Sequence, residues 1–113
     1  MTKIDFPLTV DAEKLIGDVC QNLPECGPTW AQTVGWNYKE NIYKFHDPEE
    51  DAYFELDMPT MVIGLQKIVQ DAMEGKLPGI KKRLGQMDDA GEWDAWDIDL
   101  LIQYSIFGEI VYG

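Results

Sequence analysis

A chain of 113 residues, 45% hydrophobic and 12% aromatic, is a single-domain length with enough apolar material for one core, which excludes disorder over most of it. Its 21 aspartates and glutamates against 9 lysines and arginines give a formal charge of −12, a balance that repels nucleic acid and anionic membranes and favours a basic partner. Cys20, Cys26 and the single His46 exclude a disulfide scaffold and a Cys/His zinc site, and with no signal peptide or membrane-length apolar run the chain reads as cytosolic with reduced thiols.

The opening "KIDFPLTV" sets Phe6 and Leu8 on one face of a short strand or extended lead-in, with Pro7 arguing for an edge or irregular segment. Thr9 is the expected N-cap of a helix over about 10–22, with Asp11 and Glu13 in its first turn. Ala12, Leu15, Ile16, Val19, Cys20 and Leu23 recur on one face of it, and Pro24, Gly27 and Pro28 end it. The period then changes to two: Val34, Trp36 and Tyr38, then Tyr43 and Phe45, then Ala52, Phe54 and Leu56 alternate. Strands over about 33–38, 42–46 and 52–57 form an antiparallel meander, with Gly35 marking a bulge or a close backbone approach and Pro48 shaping the turn Asp47 to Asp51.

Helical spacing returns over about 60–74, where Leu65, Ile68, Val69 and Ala72 trace the stripe that covers the sheet, with Pro59 near the start and Gly75 as the stop. A short helix over about 79–86 carries the only basic cluster, Lys81, Lys82 and Arg83, read as a solvated face. Asp94 is the expected N-cap of a last helix over about 95–107, with Asp97 three residues on as in a capping box. That helix is apolar nearly all round, which is the pattern of burial on several sides, and Gly108 suits its left-handed stop before an extended tail. The fold class is therefore α+β, one domain over 1–113, with helices mainly on one face of a small sheet.

Chemistry-bearing patterns are sparse. Asp94 with Asp97, or Asp47 with Asp51, has the residue type of a general acid and base, but turns and helix starts want acids at the same places. Cys26 with His46 has the types of a thiol nucleophile and its base, yet Glu25 beside the thiol opposes a thiolate. Ser105 sits inside an apolar helix, no phosphate loop occurs, and the acids lack the order of a calcium loop. No catalytic, cofactor-binding or metal-ligating residue is therefore assigned, and no cofactor. What remains is surface recognition: six acids from Asp47 to Asp57 and six from Asp88 to Asp99, with no lysine or arginine in either window. The expected partner-binding residues are Asp47, Glu49, Glu50, Asp51, Tyr53, Asp88, Asp89, Glu92 and Trp93. Trp93 is taken as the exposed anchor and Trp96 as packed.

"DVCQNLPECGPTWAQ" (18–32), "LDMPTMVIGLQ" (56–66) and "DIDLLIQYSIFGEIVYG" (97–113) together resemble a group of small uncharacterised bacteriophage and prophage proteins. In that group a helix runs into an E-G-G-x-x-Y-W-like turn and the chain closes on Q-x-x-x-F-G-E-[IV]-V-Y-G. Glu25, Gly27 and Trp30 match the turn, with Cys26 and Thr29 departing from it; Gln103, Phe107, Gly108, Glu109, Val111, Tyr112 and Gly113 match the ending. The resemblance implies a phage gene product in the cytoplasm of a bacterial host. By analogy of class it implies a non-enzymatic inhibitor or counter-defence protein, a DNA mimic that occupies a basic, nucleic-acid-binding surface of a host protein without binding nucleic acid or membrane itself. The alternative is an accessory or structural phage protein that self-associates through its sheet edge and aromatics. A small enzyme using Cys26 or an Asp pair stands third.

Overall fold

The computed structural model describes residues 2–5 and 9–112. Its first elements are two short strands, β1 (Lys3–Asp5) and β2 (Thr9–Asp11), paired antiparallel with Ile4 opposite Val10. The expectations for Phe6, Pro7 and Leu8 lie outside the described residues. Because the backbone of Thr9 to Asp11 is spent on this pairing, the helix expected from residue 10 begins two residues later. Its cap is Asp11 in place of Thr9: α1 (Ala12–Cys20) starts where the Asp11 carboxylate accepts from the Lys14 amide. Thr9 instead donates its hydroxyl to Asp5 at 2.6 Å. The buried face of α1 is the expected one, Ala12, Leu15, Ile16, Val19 and Cys20.

The meander is β3 (Gln32–Asn37), β4 (Ile42–Asp47) and β5 (Ala52–Leu56), antiparallel with β4 in the middle. Register slips between Thr33 and Gly35, and a Cβ on Gly35 would stand 3.4 Å from that of Lys44, so the bulge and the close approach coincide. Tyr43, Phe45 and Leu56 are buried on one face, while Lys44, Tyr53 and Glu55 stay exposed. Each fully buried large apolar side chain of this kind contributes about 1.5–3 kcal/mol.

Asp57 ends the sheet segment and caps α2 (Met58–Met73), accepting from the Thr60 amide at 3.0 Å, so that helix, unlike α1, starts two residues before its expected position. The short α3 (Pro78–Arg83) and a 3-10 turn (Ala90–Glu92) lead to α4 (Ala95–Phe107). Asp94 and Asp97 form the reciprocal capping box, and Gly108 takes φ 75° at the stop, both as the sequence predicts. Helices α2 and α4 cross closely: a Cβ on Gly64 would meet Ser105 Oγ at 2.5 Å and its backbone nitrogen at 2.9 Å.

One charged residue sits in this crossing. Burial alone would raise the carboxyl pKa of Asp71. The Tyr104 hydroxyl at 2.8 Å on Oδ2, with Lys67 at 3.2 Å and Lys76 at 3.9 Å on Oδ1, outweighs that burial and lowers it below the ordinary carboxylate value.

Candidate functional site

The turn between β4 and β5 holds the first acidic window, and its first acid is structural. Asp47 is 1% exposed; its Oδ1 accepts from the amides of Glu49 and Glu50 and its Oδ2 from the Tyr112 hydroxyl at 2.8 Å. The Tyr112 hydrogen bond is the main reason its carboxyl lies below the ordinary range. Asp47 is thus removed from the expected partner-binding surface: a carboxylate that closes an Asx turn points inward to serve its own loop. Glu49, Glu50 and Asp51 are exposed beside Tyr53, which is 70% exposed. The His46 ring stacks on Tyr53 with centroids 4.4 Å apart and its Nε2 lies 2.9 Å from Asp51.

The residues of the catalytic alternatives are each held in other contacts or lie apart. His46 is engaged by Asp51 and Tyr53, and Cys26 is exposed in its own turn, with no bond joining them among the described residues. Asp94 and Asp97 cap a helix, and Asp97 is fully buried in a fork with Arg83 at 2.6 and 2.8 Å. Arg83, read from sequence as part of a solvated basic face, therefore holds the α4 N-terminus, and Nη2, one of the two fork nitrogens, also donates to the Glu92 carbonyl at 3.2 Å. Asp97 holds the Arg83 pKa above its ordinary value by that hydrogen bond.

The same clamp folds the second acidic window. Trp93 is 7% exposed, its indole donating to the Met87 carbonyl at 2.9 Å, whereas Trp96 is 52% exposed. The expected assignment of the two tryptophans is reversed. Arg83 holds the loop against α4, and Trp93 is tucked into the core, while Trp96 in the first turn of α4 stays exposed. Asp88, Asp89 and Glu92 remain exposed. Asp88 and Asp89 line a groove of about 570 Å³ with Asp11 and Asp18 from the other side, where Lys14 is the one basic lining residue among the described residues and pairs with Asp18 at 2.9 Å. Sequence reasoning missed Asp11 and Asp18 because only the fold brings α1 beside the 88–92 loop.

The residues that carry the resemblance meet in a third place. Trp30 stacks on Tyr112 with centroids 4.7 Å apart and an 11° interplanar angle, with Phe54 and Phe107 edge-on or tilted against it. Gln103 accepts from the amides of Val111 and Tyr112 and donates to the Tyr112 carbonyl, pinning the tail to α4. Trp30 Nε1 and Gln103 Nε2 both donate to Asp99 Oδ1, at 2.7 and 3.1 Å. The turn and the ending are thus two halves of one lock. Comparison with protein-family models, with curated proteins and with solved structures finds no match to this chain.

Proposed function

We propose that this is a non-enzymatic, phage-type interaction protein whose acidic groove occupies a basic, nucleic-acid-binding surface of a host protein in the bacterial cytoplasm, as an inhibitor or counter-defence protein that mimics DNA. The observation that carries the reading is the convergence of Asp11, Asp18, Asp88 and Asp89 on one groove with a single lysine among its described lining residues. Carboxylates held around a concave surface focus a negative potential and steer a cationic surface into register. Among the described residues no helix is long and apolar enough to cross a membrane.

Capture from a bacterial lysate followed by mass spectrometry tests it. The expected partner is a nucleic-acid-binding protein that its own DNA or RNA displaces, released by raised salt and lost when Asp18, Asp88 and Asp89 are changed to lysine. Capture that survives both salt and charge reversal sinks the reading. Self-association is the second reading, favoured by Val34, Trp36 and Tyr53, which are 49%, 48% and 70% exposed on the sheet segment. It predicts a salt-insensitive dimer in sedimentation, and a monomer at every concentration ends it.

A further inference from the structure

The exposed indole of Trp96 stands between two clefts. One, of about 120 Å³, runs between Trp96 and the tail residues Ile110 and Tyr112; the other, of about 210 Å³, runs between Trp96 and the turn residues Gly27 and Thr29. Asp99 lines both. Asp99 is half-buried and its two oxygens are in different states: Oδ1 takes the hydrogen bonds from Trp30 and Gln103, whereas Oδ2 has no hydrogen-bond partner among the described residues. Among the described residues no lysine or arginine lies within ion-pair distance of it. The carboxylate is thereby fixed in orientation, uncompensated in charge, and placed beside an aromatic face that is half in water.

We propose that Trp96 and Asp99 form a receptor for an arginine side chain of the protein partner, the guanidinium lying on the indole face and donating an N–H to Asp99 Oδ2. The inference rests on the basic-partner reading above and names the anchor within it. A guanidinium suits the geometry better than an ammonium: it is planar, stacks on an indole, gives up little hydration on doing so, and still has donors at its edge. Because Oδ1 is already engaged by two donors, the carboxylate offers one oxygen, so the stacking contact and not a two-point fork distinguishes arginine from lysine. The cost of ordering the receptor is small, since Trp30 and Gln103 hold Asp99 before any partner arrives.

The test is an NMR titration of the full chain with blocked Gly-Arg-Gly and Gly-Lys-Gly peptides, following the indole N–H resonances and the Gln103 side-chain amide. The arginine peptide is expected to move the Trp96 resonance saturably and to bind about threefold or more tighter than the lysine peptide. Binding should weaken by about the same factor in Trp96→Ala and in Asp99→Asn, whose amide oxygen still accepts from Trp30 and Gln103 and so keeps the lock. Equal affinity for the two peptides, or an unchanged affinity in Trp96→Ala, overturns the receptor. Asp88→Lys with Asp89→Lys separates the two claims. Loss of lysate capture in that variant with the peptide titration intact supports both sites. A failed titration beside intact, salt-sensitive capture removes the arginine receptor alone, and a positive titration with no nucleic-acid-binding protein captured removes the inhibitor reading alone.

Discussion

Arg83 and Asp97 show how much one side chain can hold. Asp97 is fully buried and serves the capping box and the guanidinium fork together, so removing Arg83 strands a buried charge at the start of α4. Arg83→Ala is expected to destabilise the fold by about 2–3 kcal/mol in chemical denaturation, below the usual cost of breaking a fully buried pair because the arginine is itself a third exposed. The Asp47 to Tyr112 bond has a pH signature at both ends. Asp47 titrates below its ordinary value when folded, so its contribution is present above about pH 4 and fades as acid protonates the folded carboxyl. Tyr112, raised to about 12 chiefly by that same bond, contributes below pH 10 and loses its contribution between 10 and 12. Tyr112→Phe should therefore lower the melting temperature at neutral pH, and the difference from wild type should shrink at both extremes. Such pairings were illegible in the sequence: Asp47 and Tyr112 are 65 residues apart, and an acid in a turn looks the same whether it faces solvent or its own backbone.

Among the elements, the most legible was α4, because its signals are local: a capping box at one end and a left-handed glycine at the other define Ala95–Phe107 without reference to the rest of the chain. The β1–β2 hairpin was not legible, since strands of three residues carry too few side chains to display a period, and its pairing displaced the α1 cap from Thr9 to Asp11. The α2–α4 crossing is similarly a matter of contact, where Gly64 looks in sequence like a weak point in a helix and in space is the residue that lets two helices approach. Gly64→Ala should cost about 1–3 kcal/mol by overpacking. Adding Ser105→Ala removes the hydroxyl 2.5 Å away but leaves the backbone nitrogen at 2.9 Å, so the double variant is expected to recover only part of the loss in denaturant titrations.

For the molecule as a whole, a charge of −12 on 113 residues is a standing self-repulsion. Monovalent salt should raise the melting temperature by screening it, while the same salt weakens capture of a basic partner; a melting temperature that salt leaves unchanged or lowers would show the charges to be better compensated than their sum indicates. The acidity was legible from composition, but its division into a groove, a turn and structural caps was not, because that depends on which segments lie beside one another. The thiols have one more consequence. Burial pushes Cys20 up to about 12, with its sulfur against Met61, while Cys26 is exposed one residue before Gly27 on the rim of the Trp96 cleft. A maleimide at neutral pH should add a single equivalent to the native protein and a second only on unfolding, which makes wild-type Cys26 a built-in attachment point for a fluorophore or spin label reporting on whatever enters that cleft.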